Sequence, residues 1–480
     1  MSKFYITNAI PYVNAKPHIG HALEFIQSDT VARYHKLLGD DVRLLCGGDE
    51  NAIKNVQAAE KAGEPVQEFV DKNNVLFENL VKALNTEFDI WQKGSSQQHF
   101  TSSQKLWELC QKNGDIYKKK YKGLYCVGCE LFYTREELDE KGECYEHPGK
   151  PLEEVEEENY FFKLSNYTEA ILELIESNQL QIVPDFRKNE VLAFLKKGLE
   201  DISISRSNER AKNWGVPVPG DDSQRMYVWF DALNIYQSGI GFGWDDKTYE
   251  KWWPADVQVI GKGIIRFHAI YWPAFLLSAK LKPAKKIFVH EYFTVNGQKM
   301  SKTLGNVIDP IEIIDKYGAD ALRFYCLKYF SPFSDGDFSE EKFKIAYNAD
   351  LSNGLGNAAS RIAKLAENSG FTFNKEEPVP FEKIYSPEVT EAFKEFRFNN
   401  VLQNIWIGHL QVLDQHINYN SPWLIKDNPE KLKHVVQEEI DLLRKIARQI
   451  APFLPETSEK ILEQFKGPKI KSEKPLFPRV

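Results

Sequence analysis

The sequence predicts an α/β architecture: a Rossmann-like, doubly wound parallel sheet that carries an insertion and is followed by an all-α helix-bundle domain. Three observations predict it. Short apolar strands alternate with amphipathic helical stretches from the N-terminus onward. A turn-rich segment with clustered cysteines interrupts that alternation, and beyond residue 350 the apolar spacing is helical with few strand signals.

The elements follow in order. Residues 3–8 (KFYITN) alternate and are rich in Phe, Tyr, Ile and Thr, which reads as a strand. After Pro11 and Pro17 the apolar residues Ile19, Leu23, Ile26, Ala32, Tyr34 and Leu37 recur at helical spacing, predicting a helix over 19–38 that stops at Gly39. A fully apolar strand over 42–46 then runs into Gly47-Gly48-Asp49. Strand, helix, strand opens a parallel nucleotide-binding sheet, in which ligands sit beyond the strands' carboxyl ends. Helices are predicted at 52–62, 66–84 and 102–113, and short strands and turns over 124–151. An acidic run, 153–158, precedes an aromatic strand at 160–163, and helices at 167–176 and 189–199 lead back to the sheet. Sheet strands are predicted to resume at 225–230, 257–260 and 287–289. Further on, Leu351, Leu355 and Ala358, then Val401, Leu402 and Ile405, then Ile440, Leu443, Ile446 and Ile450 recur near every 3.6 residues, the mark of a bundle.

Bulk properties exclude several classes. At 480 residues the chain exceeds a single core, and about 150 residues per domain suggests roughly three. A composition 42% hydrophobic and 27% charged fits neither a disordered chain nor a fibre. The net charge of -8 argues against a non-specific nucleic-acid binder, so any RNA contact must use local basic patches. The N-terminus lacks a secretory signal, and the longest apolar run, 269–279, contains Pro273 and is too short to span a bilayer. A soluble cytoplasmic protein without membrane association is expected.

Six cysteines occur. Cys126 and Cys129 are followed by Cys144 and His147, giving C-x2-C-x14-C-x2-H. Two tight pairs of soft ligands on a short loop meet the tetrahedral needs of zinc, and with all four positions filled by protein the site is structural, one ion per chain. Two unrelated pairs or a redox C-x-x-C are the competing readings. Cys46, Cys110 and Cys326 stand alone in apolar contexts and are expected to be buried thiols.

Two further motifs carry chemistry. His18 and His21 lie three apart at a strand-to-helix junction, so both fall on one face of the first turn. Unpaired N–H groups and the helix dipole attract phosphate there, and imidazoles can donate to charge that develops during in-line attack. A surface pair or an adventitious metal site is the bland alternative. Gly20 argues against it, because Gly costs about 1 kcal/mol inside a helix unless something approaches the backbone closely. Lys299 and Lys302 flank Met300 and Ser301 in a loop bordered by Gly297 and Gly305. They read as solvated surface charge or as cations that close over departing phosphates.

These residues resemble a known family. His18-Ile19-Gly20-His21 matches the HIGH motif and Lys299-Met300-Ser301-Lys302-Thr303 the KMSKS motif of class I aminoacyl-tRNA synthetases, in the right order on either side of an insertion. Within that class the sequence resembles the methionyl-tRNA synthetase family at residues 9–14, 124–126 with the cysteine knuckle, 202–206, 227–232 and 421–423, and the similarity spans essentially the whole chain. The resemblance implies a ligase that activates L-methionine with ATP and Mg2+ to methionyl-adenylate and passes the methionyl group to the 3′ end of tRNA(Met). His18, His21, Lys299 and Lys302 would be catalytic, and His18, Gly20, His21, Lys299, Ser301 and Lys302 would hold ATP. Methionine would be held by Ile10, Tyr12, Asp49, Trp229, Ala232, Leu233, Tyr236 and His290, with Asp49 on the ammonium and the aromatic rings around the thioether. Read without the family, Trp229 and Tyr236 are core aromatics, and Trp423 after Pro422 is an interhelix plug; by resemblance Pro422 and Trp423 would stack an anticodon base. Lys118 to Lys120 and Lys122 would contact the acceptor stem or form a solvated run.

The implied organisation is a Rossmann catalytic domain in halves 1–113 and 221–295, a connective insertion with the zinc knuckle over 114–220, a KMSKS loop and stem-contact region over 296–349, and an anticodon-binding helical domain over 350–480. Departures from the pattern are Thr303 for the last Ser, Asn51 where His is common, and Gly263 where an acidic residue would bind ribose. Thr303 keeps the hydroxyl, whereas Asn51 weakens any substrate role at its position and Gly263 moves ribose recognition elsewhere. A monomer is expected, since no appended dimerising domain follows the bundle.

Overall fold

The computed structural model describes residues 2–133, 135–145, 147, 149–300 and 305–480. The chain divides into two units. The first comprises 1–17, 41–79 and 88–290; the second comprises 18–40, 80–87 and 291–480.

The first unit is organised by six parallel strands: β1 (Lys3–Asn8), β2 (Asp41–Gly48), β3 (Ile90–Lys93), β4 (Gln181–Val183), β5 (Val257–Gly261) and β6 (Lys286–His290), in the order β3-β2-β1-β5-β6-β4. Central strands of such a sheet are covered on both faces and therefore read as continuous apolar runs. Tyr5, Ile6, Leu44, Leu45, Val259 and Ile287 are accordingly fully buried. The order changes direction at β1, where β2 pairs on one side and β5 on the other. Ligands of open α/β sheets bind beyond the carboxyl ends at such a switch. Ile10 and Tyr12 follow β1 there, Asp49 follows β2, and His290 closes β6.

Three expectations are corrected. Residues 225–230 do not rejoin the sheet. Asp221–Met226 forms the middle strand of a separate three-stranded antiparallel sheet, and Val228–Ala232 is helical. A six-residue aromatic run is compatible with either a buried strand or a buried helix, so periodicity alone could not separate them. The acidic run 153–158 lies within the strand Glu153–Phe162, which pairs antiparallel with Ile116–Cys126 and sets Lys120 opposite Glu158 and Lys122 opposite Glu156. This cross-strand pairing of opposite charges lets a polar ribbon persist as a strand. Strands β3 and β4, which have no counterpart among the predicted elements, are only four and three residues long, and β3 ends in Gln92 and Lys93.

In the second unit, α1 (Ile19–Leu37) is held by a buried ion pair, Arg323 Nη2 to Asp29 Oδ2 at 2.7 Å. Arg323 also donates to the carbonyls of Phe453 and Pro452, which satisfies a charge that would otherwise be costly to bury. Tyr34 of the same helix stacks on Phe393 at 4.0 Å. The bundle is built of helices that include Asn357–Ser369, Gln411–Asn420, Pro429–Ile450 and Pro455–Gln464, and the anticipated apolar positions Leu351, Leu355, Val401, Leu402, Ile405, Ile440, Leu443 and Ile450 are fully buried. Cys46, Cys110 and Cys326 are buried thiols, as expected. No helix among the described residues is long and apolar enough to cross a membrane.

Candidate active site

In the first unit, the chain after β1 meets the end of β2. Tyr12 and Asp49 form a parallel bridge, and the Asp49 N–H donates to the Pro11 carbonyl at 2.9 Å. Burial raises the Asp49 carboxyl well above the usual carboxylate range; Asp231 and Glu130 add to this, while Lys54 and Arg206 oppose it. A group so placed gains by pairing with an incoming cation. The helical turns Val228–Ala232 and Ile235–Ser238 supply Trp229, Ala232 and Tyr236, with Leu233 between them, and all four are buried. The Trp229 ring stands edge-on to Tyr12 at 6.4 Å and lies flat on Phe267 at 3.6 Å. Ile10 and Tyr12 pack against the same apolar cluster. His290 is buried at the end of β6, opposite Gly261.

Phe267 and His268 were not legible in the sequence. His268 lies 2.8 Å from the Tyr236 hydroxyl and 2.9 Å from the Ile264 carbonyl. Burial pushes its imidazole down to about 4, so it is neutral near pH 7. Nδ1–H then donates to Ile264 and Nε2 accepts from Tyr236, which fixes the phenol. Asn51 donates to Asp231 at 2.6 Å and to the Gly94 carbonyl at 2.9 Å, a framework role.

The first sequence motif, residues 18–21, opens α1 in the second unit. His18 is the cap, in extended backbone, and its Nδ1 accepts from the Gly20 N–H at 3.1 Å; His21 Nδ1 accepts from the His18 N–H at 3.1 Å. This is a capping box made from imidazoles instead of hydroxyl and carboxylate groups. An Nδ1 that accepts carries no proton, so in each neutral ring the proton resides on Nε2. Burial, followed by the neighbouring His18, lowers His21 well below the usual histidine range, which keeps it neutral. The two rings stack with centroids 3.9 Å apart. The pair therefore presents fixed Nε2–H donors on one side of the helix start.

Gly20 is required by this arrangement. A Cβ there would lie 2.9 Å from His18 Cε1 and 3.5 Å from Met300 Cε. The group that crowds the backbone is thus the first motif's own ring, with the second motif's methionine beside it. Asn306 donates to the Lys299 carbonyl, and the Ile19 N–H donates to the Ile308 carbonyl at 3.1 Å. Ser301, Lys302 and Thr303 lie outside the described residues.

The knuckle is assembled as the spacing predicted. The ligand atoms of Cys126, Cys129, Cys144 and His147 all lie within 4.8 Å of one another, with Cys129 Sγ 3.4 Å from Cys126 Sγ, 3.2 Å from Cys144 Sγ and 3.4 Å from His147 Nδ1. Three thiolates and an imidazole converging on one point match tetrahedral zinc and leave no position for a reactive water. A Cβ on Gly128 would lie 2.5 Å from the His147 ring, so only glycine admits that ligand. Tyr133 reaches the Sγ atoms of Cys129 and Cys144 from outside the ligand set.

In the bundle, Pro422 is buried and Trp423 is 46% exposed, too open for an interhelix plug. The Arg361 guanidinium lies 5.2 Å from the indole centroid, and both residues line an open cavity of about 380 Å³ with Ser360, Lys364 and Leu365. No sequence motif singles out Arg361. The lysine run is exposed, and two of its members pair with acids, Lys118 to Asp221 at 2.7 Å and Lys122 to Glu154 at 3.7 Å.

A parallel nucleotide-binding sheet, an imidazole-capped helix beside a KMSKS-like loop and a helical bundle with an open tryptophan are the parts of a class I tRNA synthetase. Residues 4–363 match the family model described as tRNA synthetases class I (M), and 385–479 match the anticodon-binding domain of tRNA ligase. The chain belongs to the class I (M) tRNA synthetase family. Relatives include the methionine--tRNA ligase of Thermotoga maritima, 40% identical over 96% of this chain and 75% of the relative, and that of Brucella melitensis biotype 1, 40% identical over 97% and 92%. Among solved structures, Mycobacterium tuberculosis methionyl-tRNA synthetase in complex with methionyl-adenylate superimposes with a TM-score of 0.92 at 34% identity, covering 100% of both chains.

Proposed function

We propose that this chain is an ATP-dependent methionine-tRNA ligase. It activates L-methionine to methionyl-adenylate with release of pyrophosphate, then transfers the methionyl group to the 3′-terminal ribose of tRNA(Met). The observation that carries this reading is the match to methionine--tRNA ligases along nearly the whole chain, joined to a buried carboxylate, Asp49, bridged to Tyr12 where a parallel sheet binds its ligand.

The methionine carboxylate attacks the α-phosphate of ATP in line, and pyrophosphate leaves with its Mg2+. His18 and His21 donate Nε2–H to the phosphate oxygens as charge moves onto them, a stabilisation realised chiefly in the transition state. Gly20 lets those rings fold against the backbone. Lys299 and Lys302 neutralise the departing pyrophosphate, and Ser301 adds a hydroxyl contact. Asp49 pairs with the substrate ammonium. Ile10, Tyr12, Trp229, Ala232, Leu233, Tyr236 and His290 enclose the thioether, where sulfur–aromatic contacts contribute roughly 0.3 to 1.5 kcal/mol each. Zinc, held by Cys126, Cys129, Cys144 and His147, cross-links the insertion and takes no part in the chemistry. Pro422 presents Trp423 for stacking on an anticodon base, about 1 to 3 kcal/mol per base, and Arg361 adds charge beside it. With Gly263 in place of an acid, ribose is held by other groups.

The reaction belongs to the cytoplasm, where tRNA is charged, and a single chain carries amino-acid pocket, ATP motifs and bundle, so a monomer suffices. The test is pyrophosphate exchange into ATP with each of the twenty amino acids separately. Methionine alone should support it; exchange driven by a different amino acid would overturn the substrate assignment.

A further inference from the structure

Lys54 is the second residue of α2 (Ile53–Ala62), a helix whose cap, Ala52, offers no side-chain hydrogen bond. A cation is disfavoured at a helix N-terminus, where the dipole is positive. This one is partly buried as well. Its ammonium lies 3.0 Å from the centroid of the Tyr12 ring, donates to the Gly128 carbonyl at 3.1 Å and sits in the field of Asp49 and Glu130. A residue that breaks a local rule in this way points to a site where function outweighs helix preference.

The Gly128 carbonyl belongs to a turn that other pocket residues also grip. Trp229 Nε1 donates to the next carbonyl, Cys129, at 3.1 Å, and the Tyr227 hydroxyl donates to the one after it, Glu130. Three consecutive carbonyls of the knuckle are therefore held by Lys54, Trp229 and Tyr227. The Tyr12 ring has Lys54 on its face and Trp229 edge-on to it. Its hydroxyl is buried without a hydrogen-bond partner among the described residues, which marks the phenol as a group awaiting a ligand.

We propose that Lys54 is a positioning residue for the amino-acid pocket: its ammonium clamps the Tyr12 ring against the Gly128 carbonyl and so fixes the wall that meets the substrate side chain. The inference rests on the methionine reading of that pocket. Coupling to Tyr12 separates it from a purely electrostatic role. Lys54 also opposes the burial that raises the Asp49 carboxyl, so an electrostatic loss weakens binding of the substrate ammonium whether or not Tyr12 is present. A positioning loss vanishes once the Tyr12 ring is gone.

The experiment is methionine-dependent pyrophosphate exchange with the zinc-loaded full chain, its Lys54→Met and Lys54→Arg variants, and each change in a Tyr12→Leu background. A desolvated cation–π contact is strong enough that its loss should raise KM for methionine about tenfold or more. KM for ATP and zinc content should stay at the wild-type level. Lys54→Arg, which keeps a cation on the ring, should recover most of the loss, and in the Tyr12→Leu background Lys54→Met should add less than about twofold. If Lys54→Met does not fold, Lys54→Gln takes its place with the same expectations. An unchanged or lowered KM for methionine, an equal rise in KM for ATP, or full additivity with Tyr12→Leu overturns the positioning role. Wild-type protein that fails to exchange with methionine removes instead the reading of the pocket, a result recognisable before any variant is made.

Discussion

Replacing Gly20 with Ala separates the chemistry of the first motif from the stability of its helix. Two structural effects oppose each other. Ala in place of Gly within a helix is favourable by about 1 kcal/mol. The new Cβ, however, would lie 2.9 Å from His18 Cε1 and 3.0 Å from His18 Nδ1, inside contact distance, so the ring must swing away. That breaks the 3.1 Å cap to the Gly20 N–H, a loss of about 1 kcal/mol. Net stability should barely change. Activity should not be spared, because a displaced ring no longer holds its Nε2–H where the phosphate oxygens develop charge, and losing one preorganised donor costs about 10²- to 10³-fold in rate. Pyrophosphate exchange for the rate and thermal unfolding for the fold read the two effects separately. An exchange rate within about twofold of wild type, in a protein whose melting temperature is unchanged, would refute the donor role of His18 and with it the reason for the glycine.

Other perturbations test other parts. Glu439 is fully buried in the bundle with neither carboxylate oxygen hydrogen-bonded among the described residues; burial first, and Glu438 after it, push its carboxyl up to about 7, Arg361 opposing, with His416 Nδ1 3.7 Å away. Because the folded value lies above the unfolded one, the stabilisation is complete below about pH 4.5 and is lost as pH rises through 7, about 3 kcal/mol in all. Glu439→Gln should therefore melt higher than wild type at pH 8 and no higher at pH 4; equal melting at pH 8 would mean the carboxylate is solvated or paired. Trp423→Ala should leave methionine-dependent exchange intact while weakening tRNA charging about tenfold or more, and undiminished charging would return Trp423 to a packing role. Metal analysis should find one zinc per chain, and Cys144→Ser should reduce it and lower the melting temperature; a full zinc complement in that variant would contradict the four-ligand site.

Much of this was legible because certain constraints are local. Ligand spacing disclosed Cys126, Cys129, Cys144 and His147, since two tight pairs on one loop leave few alternatives. His18 and His21 do meet at the start of the helix, but His18 is its extended cap and not part of the first turn; Gly20 does mark a close approach, and the approaching group is His18 itself. Continuous apolar runs announce β2, β5 and β6, and the alternating Phe-, Tyr-, Ile- and Thr-rich residues 3–8 announce β1. What stayed hidden needs the fold to exist first. Phe267 and His268 reach Trp229 and Tyr236 from more than thirty positions along the chain, and Lys54 reads as surface charge until Tyr12 is beneath it. The aromatic run 225–230 was misassigned because burial in a strand and burial in a short helix select the same side chains.

The most direct test is the identity of the adenylate. Mixed with ATP, Mg2+ and all twenty amino acids at equal concentration, without tRNA, the protein should yield methionyl-adenylate as the one aminoacyl-adenylate detected by mass spectrometry. A different adenylate, or none, would contradict the account.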